Sequence, residues 1–256
     1  MTAERGAGGT SWQRVSDWYG RLVGREGSYY HRQVILPHSL KLLDLRKDSS
    51  LLELACGQGV LARYLPEGVY YQGVDSAPDL LEQARRLDKN KKHRYTLADA
   101  SKPLPIPKKD FTHAVIILAL QNIPDAEGVV RNPREHLKRG GRLLVVLNHP
   151  CFRIPRQSSW GIDLQNQLQY RRIDRYLSPQ EIPIRIHPGR GARSESAWSY
   201  HLPLSEYSRL LYQNGFVIER IEEWVSDKES QGKAAKMENR ARREFPLFLA
   251  LLARRE

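Results

Sequence analysis

The 256-residue sequence predicts an α/β fold on one seven-stranded sheet, mostly parallel with an antiparallel last strand, with N-terminal helices and a cap inserted after the fifth strand. Three observations carry this. Short apolar runs alternate with stretches long enough for crossover helices. A glycine-rich turn, Ala55-Cys56-Gly57-Gln58-Gly59, follows the first run. The alternation stops after residue 148 and resumes near residue 205.

Two helices, Ser11–Leu22 and Tyr30–Leu45, come first, and the first 46 residues are expected to form a helical lid. Five apolar runs follow, Ser50–Ala55, Val69–Asp75, Arg94–Ala98, Phe111–Leu118 and Arg142–Asn148, and read as parallel strands. After the second run, Ser76 with Asp79 resembles a capping box. Pro78 suits a first helical turn, and Leu80, Leu81, Ala84 and Leu87 share one face. Residues 148–200 are rich in proline, arginine and aromatics without clean periodicity, which predicts an ordered cap over the carboxyl edge of the sheet. Ser205 is placed to cap a helix carrying Tyr207, Leu210 and Leu211, and Gly215 to end it. Two further runs, Val217–Trp224 and Pro246–Ala253, are separated by a charged connection that reads as a hairpin, so they are expected to be antiparallel neighbours. The whole chain, 1–256, reads as a single domain.

Composition narrows the function classes. Hydrophobic residues make up 40% and charged residues 27%, and no run reaches the ~18 apolar residues of a membrane span. The N-terminal stretch MTAERGAGGTS lacks a signal core, so a cytoplasmic protein, monomeric or homodimeric, is expected. Two cysteines, Cys56 and Cys151, make no metal cluster by themselves and require no disulfide, so no metal is expected. The balance is basic, 41 Lys+Arg against 29 Asp+Glu for a net charge of +12, which suits an anionic substrate, a nucleic acid or solubility alone.

In an open α/β sheet the ligand lies outside the carboxyl ends of the strands, where backbone N–H groups face it, and Gly57 and Gly59 sit at that edge. Gly57 to Ala62 also satisfies the dinucleotide pattern G-x-G-x-x-G/A, so a nicotinamide or flavin enzyme is the rival reading. Three acids bear on the choice. Glu53 lies four residues before Gly57, Asp75 lies 16 after Gly59, and Asp99 follows the third strand. A carboxylate ending the second strand accepts ribose hydroxyls in either case, and one at Asp99 can accept from an adenine amine. Glu53 inside an apolar strand is costly beside a dinucleotide and makes sense beside a sulfonium or an α-ammonium group.

The series Glu53-Leu-Ala-Cys-Gly57-Gln-Gly59, "GVDSA" at 73–77, "LADA" at 97–100, "LALQNI" at 118–123 and "LKRGGRLLVV" at 137–146 resembles the class I S-adenosylmethionine-dependent methyltransferases, with their Rossmann-like sheet. The resemblance implies S-adenosyl-L-methionine as cofactor and S-adenosyl-L-homocysteine as product. It implies that Ala55, Cys56, Gly57 and Gly59 wrap the methionine part while Glu53 meets its amine. Asp75 with Ser76 would hold the ribose, Asp99 and Ala100 would flank the adenine, and Leu118 to Gln121 would face the sulfonium. Tyr19 and Tyr30 would close over the cofactor as lid aromatics. Two positions depart from the family pattern: Ala55 stands where a glycine is usual, a harmless change at ordinary negative φ, and Pro133 interrupts the helix before "RGG".

Methyl transfer is an in-line displacement that needs an aligned acceptor, exclusion of water and, for some acceptors, a base. His31, His149 and His201 are the candidate bases or acceptor-orienting groups, with His149 directly after the fifth strand. Acceptor contacts are expected from Tyr29, Asn148, Trp160 and Tyr200. The cap carries eight arginines and no lysine, which favours planar recognition of carboxylate or phosphate. The expected function is methyl transfer to an oxygen or nitrogen of a small metabolite, anionic or aromatic. The alternatives are an RNA or protein modifier using the basic surface and a non-catalytic cofactor-binding module. A nucleophilic Cys151, as in RNA cytosine methylation, is disfavoured because no Thr-Cys motif accompanies it.

Overall fold

The structure, a computed structural model, describes Gly20 and residues 23–185 and 196–256; the first expected helix, Tyr19 included, otherwise falls outside the described residues. The main sheet contains β1 (Ser50–Leu54), β2 (Tyr70–Asp75), β3 (Arg94–Leu97), β4 (Phe111–Ile117), β5 (Leu137–Asn148), β10 (Phe216–Trp224) and β11 (Phe248–Arg255), in the order β10-β11-β5-β4-β1-β2-β3. The first five pair in parallel, and β11 runs antiparallel to both β5 and β10. β1 is buried along its whole length, as a strand covered on both faces must be.

Each face of the sheet carries its own core. Helices α3 (Ala126–His136) and α4 (Leu204–Gln213) bury Val129, Val130, Tyr207 and Leu211 against one face. On the other, α1 (Leu36–Leu43) buries Leu36, Leu42 and Leu43 with Trp224 and Phe248. A π-helical turn, His31–Ile35, leads into α1. Helix α2 (Pro78–Leu87) seats Leu80, Leu81 and Ala84, each such side chain contributing about 1.5–3 kcal/mol if fully withdrawn from water, less for alanine. Among the described residues no helix is long and apolar enough to cross a membrane.

Several local expectations are corrected. The N-cap of α2 is Ala77 without a side-chain cap, so Ser76 and Asp79 form no capping box; the Ala77 N–H is instead bound by Asp75 Oδ1 at 2.9 Å. Pro203, extended at ψ 162°, occupies the N-cap of α4 in place of Ser205, because helical geometry already begins at Leu204. Pro133 lies inside α3 and does not end it; Asp125 caps that helix by accepting from Gly128 N–H. β5 starts at Leu137, five residues earlier than expected, since Leu137 pairs with Phe111 across a register shift. The connection between β10 and β11 is not a hairpin but contains α5 (Ala235–Glu244), although the two strands are antiparallel as expected. Helix α5 buries only Ala241, so its charged sequence carries almost no apolar period. The cap contains two antiparallel hairpins, β6 (Ser158–Asp163) with β7 (Leu168–Ile173), and β8 (Gln180–Arg185) with β9 (Ser196–His201).

Candidate functional site

The strand order turns back between β1 and β4, so the crevice of this sheet opens at their carboxyl ends. Two non-glycine residues with left-handed backbone mark it, Ala55 (φ 53°) directly after β1 and Leu118 (φ 52°) directly after β4. The expectation that Ala55 keeps a negative φ is overturned. The chain must turn sharply there so that Cys56 N–H can bond Val74 O across to β2, and Gly57 and Gly59 continue the turn at φ 53° and 66°. A left-handed alanine costs roughly 1–2 kcal/mol, and such strain clusters where a loop is held for a ligand.

Asp75 pins this loop. Its Oδ2 accepts from Gly57 N–H at 2.7 Å while Oδ1 accepts from Ala77 N–H, so one carboxylate joins the glycine turn to the start of α2. Burial pushes the Asp75 carboxyl up, and bonds from the backbone of Ala77, Gly57 and Ser76 oppose that shift. Gly59 packs so closely that an added Cβ would lie 2.8 Å from Tyr95 Oη. Cys56 is buried, and desolvation pushes its thiol well up, which makes it a packing residue and not a nucleophile.

Glu53 is the chemical anomaly of the site. Only 5% of it is exposed, the Tyr71 hydroxyl donates to its Oε2 at 2.5 Å, and no cationic side chain forms an ion pair with it among the described residues. Burial first, and then the nearby Asp75 charge, pushes its carboxyl up to about 8, against the bond from Tyr71 and the more distant charge of Arg63. A buried carboxyl without an ion-pair partner, at the mouth of a loop of turned N–H groups, fits a ligand that brings an ammonium or sulfonium charge. Asp99 and Ala100 follow β3. Asp99 is exposed, with Oδ1 bound by Ser101 N–H and Oγ–H, and Ala100 is buried. At the end of β4, Gln121 is buried and its Oε1 accepts from Asn148 N–H, which ties this strand end to β5.

The candidate bases separate. His149 is buried with both ring nitrogens engaged, Nδ1 accepting from Cys151 N–H at 3.2 Å and Nε2–H donating to Glu223 at 2.7 Å. Burial holds it below the usual imidazole range, against the pull of Glu223. The sequence favoured His149, yet no nitrogen is left to take a proton. His31 shares Nδ1 with the Ser28 hydroxyl and burial lowers it to about 4. His201 donates Nε2–H to Tyr176 O at 2.6 Å, which leaves Nδ1 as its lone-pair nitrogen; burial lowers it as well. It lies on β9, which packs against the turn Leu120–Asn122 at the end of β4.

Of the residues expected in the lid and the cap, Tyr30 packs on the β11 side of the sheet. Tyr29 donates to Asp227 at 2.9 Å, Tyr30 bonds Ser226, and Lys228 Nζ lies over both rings. Tyr30 meets Phe248 edge-on with centroids 5.7 Å apart. The strap before the lid is fixed to the glycine loop, with Gln58 Nε2 bound to Gly24 O and Arg63 Nη2 to Arg25 O. Trp160 stands on the outer hairpin against Phe245, and half-buried Tyr200 lies on β9. Sequence reasoning missed Tyr71, Gln58 and Arg63. It also missed Asn132 of α3, whose Nδ2 holds Ala100 O and Lys102 O at 2.7 and 2.9 Å. Only the tertiary pairing of strands and loops reveals such contacts.

Comparison with known proteins agrees with this fold. The family profile described as "Methyltransferase domain" matches residues 52–145. Curated relatives include the demethylmenaquinone methyltransferase of Tropheryma whipplei (strain Twist), 30% identical over 115 residues that cover 43% of this chain and 46% of that protein. The enzyme of the same description from Listeria welshimeri is 29% identical over 115 residues, 42% and 48% of the two chains. The chain thus spans about half the length of the curated relatives it matches. Among solved structures, an S-adenosylmethionine-dependent methyltransferase from Mesorhizobium loti superposes at TM-score 0.68 with 25% identity, covering 91% of this chain and all (100%) of that one. A glycopeptide N-methyltransferase complexed with sinefungin shares the fold at TM-score 0.58 and 17% identity, over 87% of this chain and 93% of that one.

Proposed function

We propose that this chain, which has the class I Rossmann-like methyltransferase fold and a methyltransferase domain over residues 52–145, transfers a methyl group from S-adenosyl-L-methionine to an oxygen or nitrogen of a small acceptor, anionic or aromatic. The observation that carries the reading is Glu53, a buried carboxyl with no ion-pair partner among the described residues, beside a strained, N–H-rich turn at the switch point of the sheet. A sulfonium group supplies the electrophilic methyl. The protein's part is placement: Glu53 takes the α-ammonium, the Ala55–Gly59 turn cradles the methionine part, and Asp75 serves the ribose from the lone pairs its two amide bonds leave free. Asp99 and Ala100 border the adenine side, with Asn132 fixing that loop.

On the acceptor side, Leu118 to Gln121 and Asn148 form the floor, Tyr29 and Tyr30 close the lid, and Trp160 and Tyr200 belong to the cap walls. His201 is the group best placed to orient or deprotonate an acceptor, through an Nδ1 that the Tyr176 carbonyl leaves as the lone-pair nitrogen. His149 is assigned a structural role, anchoring the end of β5 to β10 through Glu223. Flat aromatic acceptors suit the rings of Tyr30, Phe152, Trp160, Phe245 and Phe248 that collect at this end of the sheet.

Calorimetric titration with S-adenosyl-L-homocysteine tests the cofactor assignment. Asp75→Ala removes the acceptor of two buried N–H groups and the ribose contact together. It is expected to weaken binding at least tenfold, since leaving buried donors unsatisfied costs roughly 1–3 kcal/mol. Unchanged affinity would count against the assignment.

A further inference from the structure

Arg153 and Arg171 stand out among the cap arginines. Arg172 sits on Asp174, and Arg156, Arg172 and Arg175 are all exposed, whereas Arg153 and Arg171 are drawn in from solvent and neither has a carboxylate within ion-pair distance among the described residues. Both are partly buried. Desolvation lowers both guanidiniums from their usual value, and the charge of Arg171 lowers Arg153 further.

Arg153 stands at the carboxyl end of β5, beside the crevice. Its Nη1 donates to Asn148 Oδ1 at 2.6 Å and weakly to Leu247 O at 3.4 Å, and its guanidinium covers the Phe248 ring at 5.3 Å. Asn148 is in turn bonded to Gln121 at the end of β4, and Phe248 is the ring against which lid Tyr30 packs. No hydrogen bond within the described protein uses Nε or Nη2 of Arg153, and neither atom is sealed from solvent. Arg171, on β7, donates Nε–H to Phe152 O and Nη2–H to Ser158 Oγ, each at 2.7 Å, and lies over the Trp160 ring at 5.1 Å, and its Nη1 makes no hydrogen bond among the described residues.

We propose that Arg153 and Arg171 form an oxyanion subsite that binds a carboxylate or phosphate carried on a flat apolar body, and so select an anionic acceptor. This rests on the methyltransferase reading above and deepens it. Two partly desolvated guanidiniums gathered at Phe152, one on the next residue and one bound to its carbonyl, have no carboxylate partner among the described residues, and a bound oxyanion supplies the counter-charge through the forked N–H geometry that lysine cannot offer. The open donors are those that the protein leaves unused. Phe152, Phe248 and Trp160 around them supply the apolar wall for the body that carries the anion.

The test uses the full chain saturated with S-adenosyl-L-homocysteine, titrated by NMR with benzoate, phenyl phosphate and the neutral isostere benzamide, and repeated without the homocysteine compound. At least one of the two anions is expected to bind about tenfold or more tighter than benzamide, worth roughly 1.4 kcal/mol. Benzoate ahead of phenyl phosphate identifies a carboxylate site, and the reverse order a phosphate site. Arg153→Gln and Arg171→Gln should each abolish the preference while S-adenosyl-L-homocysteine affinity stays within about threefold, and Arg153→Lys should restore only part of it. Equal binding of all three probes overturns the proposal, as does a preference that survives both substitutions. If the variants only lower the melting temperature and the wild type shows no anion preference, the two arginines are staples of the cap to the sheet and the proposal is wrong. Failure of S-adenosyl-L-homocysteine itself to bind would overturn the methyltransferase reading, and the titration without it would still decide the subsite.

Discussion

Two side chains bear most of the local cost of the site. Ala55 sits at φ 53°, where glycine is unstrained, so Ala55→Gly is expected to stabilise the protein by ~1 kcal/mol after the added freedom of the unfolded chain is counted. That raises the midpoint of thermal unfolding by about 2–4 °C for a chain of this size, and Ala55→Val should lower it. Glu53 concerns protons. Its folded-state carboxyl, near 8, lies above the ordinary 4.5, so the folded chain keeps a proton that the unfolded chain releases. This contribution to stability is complete below pH 4.5 and is lost as pH rises to about 8, and Glu53→Gln should flatten that fall. An ammonium group beside Glu53 favours the carboxylate, so binding expels the proton. Between about pH 6 and 8 the affinity for S-adenosyl-L-homocysteine should rise by up to tenfold per unit, and calorimetry in buffers of different ionisation enthalpy should register proton release. A flat wild-type profile would remove Glu53 from the site. The acid itself was visible in the sequence as a charge inside an apolar strand, whereas the sign of the φ at Ala55 was not, because an alanine in place of glycine carries no mark of the turn it is forced to make.

At the scale of elements, α3 governs the loop after β3, which is proposed to border the adenine. It presses against the loop after β3 so closely that a Cβ on Gly128 would stand 2.3 Å from Ser101 O, and Asn132 holds two carbonyls of that loop. Asn132→Ala leaves both carbonyls without their donor and should cost roughly 1–3 kcal/mol, lowering the melting temperature and weakening S-adenosyl-L-homocysteine binding together. Glu127→Gln, on the exposed side of the same helix, should change neither beyond a few tenths of a kcal/mol, its pairing with Arg131 being a surface contact. The central strands were legible because parallel strands covered on both faces read as unbroken apolar runs, as Leu51, Leu52 and Leu54 do. The four cap strands were not, since β7 alternates half-buried and exposed residues with two arginines in six positions and makes contact chiefly with its own partner and α5. The same holds for α5, where one buried alanine leaves no apolar stripe to detect. His149 shows the related failure for a functional residue: its place after the fifth strand was correct, but its two partners come from Cys151 and from Glu223 on β10, and sequence order shows only the first.

For the whole molecule, the open question in the sequence was what a net charge of +12 is for. Much of the arginine on the main sheet and helices is interleaved with acids: Arg142 and Arg254 share Glu219 at 3.1 and 3.0 Å, Arg220 meets Glu222, and Arg242 meets Glu238. Such pairs contribute little stability, yet they shorten the reach of the positive field and break up any continuous track for a phosphate backbone. Two partly buried arginines without an acid partner, Arg153 and Arg171, lie at the cap beside the crevice. An acceptor of pocket size makes one or two ionic contacts there, and a nucleic acid makes many. Raising salt from roughly 50 to 200 mM should therefore change the apparent affinity for the acceptor only by about twofold to tenfold, whereas a backbone binder with six or more phosphate contacts loses on the order of a thousandfold. Methyl-transfer kinetics with any accepted substrate, repeated across that salt range, measure the slope directly. A steep slope would transfer the basic charge to a macromolecular partner and displace the small-acceptor reading, while a shallow one lost in Arg153→Gln would locate the relevant charge at the crevice.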